Sequence, residues 1–278
     1  MTFKTILLVT GTEPANNDLK LAAGLCEEVG AHLSVLVLAM AAPPPVGAYG
    51  AVVSDSWLQE RQADEEQLDK RVEAVRSFVA DRALSADVTG QYVEMAAGAS
   101  AVAERARYAD LTLAGPDLLA TGTLKEKTID GALFSSGKPL LLVPANSNAT
   151  LKPKRIMVAW DARIEAARAV HEARPLIAAA DDVHLALVDP IADAYHQGAE
   201  PGADAAAYLA RHGAKITVDR LPSGGRSVVE VLRRHAIDTS AEMIVMGGYG
   251  HSRLREWIFG GVTKSILSDP PLPVLMAR

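Results

Sequence analysis

At 278 residues, 49% hydrophobic and 22% charged, the chain is long enough for two domains and apolar enough to bury a core in each, which excludes a disordered or fibrous protein. A formal net charge of −6 disfavours general affinity for nucleic acid or anionic membranes. A lone cysteine, Cys26, excludes an intrachain disulfide and suits a reducing compartment, and its apolar helical neighbours mark it as a core thiol. No apolar run reaches transmembrane length and no signal-peptide pattern opens the chain, so a cytoplasmic protein without a membrane partner is expected.

The short, apolar, β-rich run 4–9 (KTILLV) reads as a buried strand. A turn-rich loop over 11–17 leads to a helix over 19–29, for which Asn16, Asn17 or Asp18 is the candidate cap and Gly30 the stop. A strand over 32–40 precedes the loop 41–54, whose consecutive Pro43, Pro44 and Pro45 break regular structure. The helix over 57–84 lines Leu68, Val72, Val75, Phe78 and Val79 along one face and solvates its charges on the other. There follow a strand over 88–95, a helix over 99–108, a strand over 111–114, a helix over 125–134 and a strand over 139–143, then a linker over 145–152.

The order then restarts. Strands are predicted over 154–160, 183–188, 214–221, 243–246 and 273–276, and helices over 164–180, 203–211, 228–235 and 261–267, with a loop over 191–202. The copies also match in detail: KTILLV at 4–9 pairs with KRIMVA at 154–159, Gly98-x-Ser100-x-Val102 with Gly225-x-Ser227-x-Val229, and ADLTLAG at 109–115 with AEMIVMG at 241–247. Alternating buried strands and helices imply an α/β fold. Two tandem doubly wound domains are expected, 1–146 and 152–278, each a five-stranded parallel sheet with helices on both faces. Such sheets bind ligands beyond the carboxyl ends of their strands.

The stretch 243–263 (MIVMGGYGHSRLREWIFGGVT) carries the most chemistry. An apolar strand ends in Gly247, Gly248 and Gly250, and the pair Gly260–Gly261 opens the next helix. Glycines let backbone N–H groups approach an anion, and a helix N-terminus adds its dipole and unpaired donors. On glycines alone, an ordinary tight loop explains the pattern as well.

Gly247-x-x-Gly250, nine residues, then Gly260-Gly261-Val262-Thr263 resembles the nucleotide loop of the universal stress protein family, whose ATP-binding members show glycine, two residues, glycine, nine residues, glycine and then Ser or Thr. The sequence departs from that pattern at Gly261, which stands where the hydroxyl residue belongs. The resemblance spans nearly the whole chain as two copies, closer in the second. It implies an adenine-nucleotide alpha-hydrolase-like fold, ATP as the ligand with or without Mg, and a role in stress tolerance. It further implies that Asp161 holds the adenine–ribose end; the alternative is a cap on the following helix. Trp160 and Val188 either wall an adenine pocket or pack plainly at strand ends. The N–H groups of Gly248, Gly250, Gly261 and Val262 would cradle phosphate. His251, Ser252 and Arg253 would reach its oxygens, with Arg253 equally readable as a solvated charge, and Thr263 would replace part of the missing hydroxyl contact. The first copy retains only Gly115 and Gly122, with Pro116, Glu126 and Lys127 in the remaining places, so loss of its nucleotide site is expected.

Ser223-Gly224-Gly225-Arg226-Ser227 looks like an ATP-pyrophosphatase loop, but it follows a third strand and reads as the start of a helix with Ser227 as cap. No Cys/His metal spacing, Walker lysine loop or nucleophile elbow is present, and His184 reads as a packed or rim residue. The leading expectation is therefore a nucleotide-binding regulatory protein. In this family the last strands of two domains commonly pair, which implies an intrachain pseudo-dimer across 139–143 and 273–276, with a homo-oligomer also allowed. A non-nucleotide interaction protein is the alternative, and a slow ATP hydrolase the third reading, for which no general base is evident.

Overall fold

The computed structural model describes residues 3–43, 46–47, 50–51, 54–82, 84–191, 200–248 and 261–278. They form two compact units, Phe3–Ser136 and Gly137–Arg278.

In the first unit, β1 (Thr5–Thr10), β2 (His32–Ala41), β5 (Ala86–Glu94) and β6 (Leu111–Ala114) pair in parallel, with β1 between β6 and β2 and with β5 beyond β2. Ile6, Leu7, Leu8 and Val9 are all buried, as an unbroken apolar run covered on both faces requires. Helices α1 (Asn17–Val29), α2 (Asp55–Ala80) and α3 (Gly98–Ala106) provide that cover. Within the loop expected over 41–54, β3 (Val46–Gly47) and β4 (Gly50–Ala51) make a short antiparallel ribbon.

The expected helix over 125–134 divides into α5 (Thr123–Ile129) and a π-helical segment, Asp130–Ser135. There a Cβ on Gly131 would collide with the Ala99 carbonyl oxygen, so glycine is what lets α3 come so close. Residues 116–119, expected to be loop, form the short helix α4 (Pro116–Leu119). Pro116 sits in its first turn, where the missing N–H has no intrahelical partner to lose.

Capping here is reciprocal. Asn16 precedes α1 without a side-chain cap bond. Instead the Asp117 carboxylate accepts from the amides of Asn17 (2.8 Å) and Asp18 (3.2 Å). Asp18 returns the arrangement, accepting from the amides of Asp117 (2.8 Å) and Leu118 (2.9 Å) at the start of α4. Asp18 is buried, and burial pushes its carboxyl above the ordinary 3.8 although both amides pull it down.

In the second unit, β8 (Arg155–Ala159), β9 (Asp182–Val188), β10 (Ile216–Leu221), β11 (Met243–Gly247) and β12 (Val274–Ala277) form a parallel sheet in the order β10-β9-β8-β11-β12. Helices α6 (Ile164–Ala179), α7 (Ala203–Arg211), α8 (Val228–Asp238) and α9 (Gly261–Ser268) complete the alternation. β7 (Leu140–Leu142) pairs antiparallel with β12, setting Leu142 opposite Val274 and Leu140 opposite Met276. That ladder places β7 in the second unit, so the compact units divide at Ser136/Gly137, whereas the sequence linker falls after 144. No described helix is long and apolar enough to cross a membrane.

Asp18→Ala strips two amides at the start of α4 of their acceptor in a buried setting. A loss of about 1–3 kcal/mol is expected, read as a fall in the urea midpoint at unchanged slope.

Candidate functional site

The chain leaves β8 in one direction to β9 and β10, and β11 returns on the other side of β8. That reversal opens a crevice at the strands' carboxyl ends, where doubly wound sheets take their ligands. A cavity of about 760 Å³ occupies it. Its floor is the ends of β8, β9 and β11 (Ala159, Val188 and Met246), and its walls include Trp160, Asp161, Asp189 and the start of α9 (Gly261, Val262 and Thr263). Such a volume is of the size that holds a nucleotide-scale ligand.

Seven sequence-predicted residues line this cavity: Trp160, Asp161, Val188, Gly247, Gly261, Val262 and Thr263. Gly250, His251, Ser252, Arg253 and Gly260 lie outside the described residues, as do 192–199 of the predicted loop 191–202.

Gly248 departs from expectation. Its amide donates to the Ala277 carbonyl at 2.9 Å, continuing the β11–β12 ladder, and so is not available to a phosphate. Gly247 has a packing role as well. A Cβ there would lie 2.5 Å from the Ala166 nitrogen and the Glu165 carbonyl carbon, so the first turn of α6 rests directly on the end of β11. Gly261 differs from both, since among the described residues a side chain added there meets nothing within 4 Å.

Asp161 does not act as the helix cap. Arg163 is the N-cap residue of α6, and the Asp161 carboxylate accepts from the Arg163 amide at 3.1 Å, closing a turn around Ala162. Ala162 has φ 60° and Asp189 has φ 45°, both in the left-handed region that costs an L-residue about 1–2 kcal/mol. Both line the cavity, and backbone strain of this kind concentrates at binding sites. Hydrogen bonds from the Ser223 side chain and amide hold the Asp189 carboxyl below its ordinary value. The cavity rim thus carries the carboxylates of Asp161, Asp189 and Glu165, with Arg163 the cationic side chain among the described lining residues.

Sequence reading missed Val228 and Leu232, which reach the cavity from α8. Their four-residue spacing signals a helix face, but not which cavity that face meets. The loop before α8 is a helix start, as predicted: Ser227 and Glu230 form a capping box. The Ser227 hydroxyl accepts from the Glu230 amide, while the Glu230 carboxylate accepts from the Ser227 amide (2.9 Å) and hydroxyl (2.8 Å). Those donors hold the Glu230 carboxyl below its ordinary 4.5.

The corresponding cavity of the first unit is smaller, about 380 Å³, and is lined by Gly11, Asp18, Asp64, Asp117 and Leu124 among others. α4 follows β6 directly, and Asp18 already accepts two of its first amides. Leu124 fills the space beside Gly11, where a Cβ would approach it to 3.2 Å.

Residues 152–278 match the family model described as Universal stress protein family. No curated protein matches the chain. Among solved structures, the chain is similar to a universal stress protein from Archaeoglobus fulgidus, at 18% identity and a TM-score of 0.66, covering 99% of this chain and 96% of that one. A putative universal stress protein from Pseudomonas aeruginosa is similar at 15% identity and a TM-score of 0.55, with 99% and 93% covered. These likenesses show the fold along the full chain.

Gly247→Ala forces backbone apart where α6 meets β11, and overpacking of this kind costs about 1–3 kcal/mol; chemical denaturation reads the loss. Ser227→Ala should cost about 1 kcal/mol near pH 7. The depressed Glu230 carboxyl contributes above its ordinary value and ceases to as pH falls through its lowered one. The gap between wild type and Ser227→Ala should therefore narrow below pH 4.5 in urea midpoints measured against pH.

Proposed function

From the match of residues 152–278 to the family model described as Universal stress protein family, we propose that this half binds an adenine nucleotide, with ATP as the specific ligand and Mg an allowed companion, and that the chain acts as a nucleotide-responsive stress protein in the cytoplasm. One observation carries the reading: the cavity at the β8/β11 reversal opens onto the start of α9, whose first residues, Gly261 and Val262, line it. Amides at a helix start have no intrahelical acceptor and face the positive end of the dipole, the arrangement that holds phosphate. Trp160 and Val188 supply apolar walls for a base, and Asp161 and Asp189 supply acceptors for ribose hydroxyls. Gly250, Gly260, His251, Ser252 and Arg253 complete the loop of the proposal on sequence grounds. Gly248 belongs to it only as a residue that lets the backbone pass.

The first copy we read as having given up its nucleotide. Its cavity is half the volume, Asp18 and Asp117 both line it, and their carboxylates already take the amides of α1 and α4. We also read the two copies as an intrachain pair, as the family resemblance implies. The domain boundaries of that reading are 1–146 and 152–278.

A second reading has its own support. Three carboxylates against one arginine at the described rim favour a neutral or cationic polar ligand, and an interaction protein that binds such a ligand fits that rim better than one binding a free triphosphate.

Calorimetric titration with ATP, with and without Mg, separates the two. The nucleotide reading expects saturable heat, weakened about tenfold by Asp161→Ala. Gly261→Ser restores the hydroxyl of the family pattern, where no described residue stands within 4 Å, and should tighten binding by about tenfold. Absence of heat from the wild-type chain would sink it.

A further inference from the structure

Away from the cavity, β9, β10 and α8 bring together three residues that are far apart in sequence. His184 Nδ1 lies 2.7 Å, and His235 Nε2 2.9 Å, from one and the same Asp219 carboxylate oxygen. The three ligand-capable atoms all fall within 4.8 Å of one another. All three side chains are partly buried, with 17%, 14% and 20% of His184, His235 and Asp219 exposed, so the group is neither sealed in the core nor spread over the surface. On its far side, His184 Nε2 lies 3.1 Å from the Asp182 carboxylate.

We propose that His184 Nδ1, His235 Nε2 and Asp219 bind a divalent transition metal of the zinc class, with Asp182 orienting His184 from behind and water in the fourth position. Two imidazoles and one carboxylate are the ligand types that such ions select, and three protein ligands plus an open position make a familiar tetrahedral site. Bonds of about 2.0–2.1 Å place tetrahedral ligand atoms about 3.3 Å apart. The two nitrogen–oxygen separations, 2.7 and 2.9 Å, fall short of that spacing by about half an ångström, so small side-chain adjustments suffice. A carboxylate on the remote nitrogen of a ligating histidine fixes its tautomer and raises its basicity, and Asp182 stands in that position.

The first copy sharpens the inference. At the corresponding strand and helix, β5 and α3, the side chain of Arg105 hydrogen-bonds Thr89 and lies 3.2 Å from Asp87. A guanidinium is thus built into that copy between sheet and helix. The second copy has in the same region two imidazoles around a carboxylate, which take up a cation from solution. His235 follows Leu232 by one turn of α8, and Leu232 and Val228 wall the cavity. Metal at His235 would therefore fix the helix that forms one side of the ligand site. The metal site stands without the nucleotide reading.

The test is titration of the full, tag-free chain with Co²⁺ alone, followed by displacement with Zn²⁺. The proposal expects one equivalent bound, with the visible absorption of a low-coordinate, nitrogen-ligated cobalt ion. His235→Gln and Asp219→Asn should abolish the band, Asp182→Asn should weaken binding by about 10–100-fold, and His171→Gln, on the exposed side of α6, should change nothing. No band in the wild-type chain, or a band that survives both His235→Gln and Asp219→Asn, overturns the proposal. Should those variants fail to fold, ring-nitrogen NMR of the wild-type chain decides: Zn²⁺ must move His184 and His235 together, and shifts confined to other histidines overturn it.

Discussion

Everything in this protein depends on strands with no solvent-facing side. Ile6–Val9 in one copy and Met243–Met246 in the other are buried along their whole length. Parallel strands of this kind need helices on both faces, and those helices leave only the strand ends open to a ligand. The cavity of the second unit sits at such ends because no other part of the sheet is available. The same constraint explains why two glycines that look like anion binders carry structural duties. Gly247 admits α6 onto the end of β11, and Gly248 prolongs the ladder to Ala277.

The two copies share strands and helices but differ at their cavities. In the second unit the chain lines the cavity with the start of α9. After β6 it turns at once into α4, whose first amides go to Asp18. A similar contrast holds between sheet and helix, where Arg105 serves one copy and a pair of histidines the other. Fold alone therefore says little about ligands here; the side chains at a few loop and helix-end positions decide them.

Much of the architecture was legible because buried parallel strands announce themselves as apolar runs. Strand ends were legible too, so Trp160, Asp161, Val188 and the start of α9 could be placed at one cavity from sequence. α4 was not, because Pro116 reads as a lost donor, while in the first turn of a helix that donor has no work to do. Val228 and Leu232 required knowing where α8 crosses the sheet. The histidine cluster was hidden altogether: His184 and Asp219 are 35 residues apart and Asp219 and His235 are 16 apart, and only the register of β9 against β10 with α8 over it unites them.

The exchange of caps between Asp18 and Asp117 has an evolutionary side. Each carboxylate holds the other's helix, so the two positions are epistatic: loss of either leaves the survivor with amides to satisfy and its own helix uncapped. Replacing both must pass through a single mutant in which one helix start is left without its acceptor, so the pair is easier to keep than to exchange.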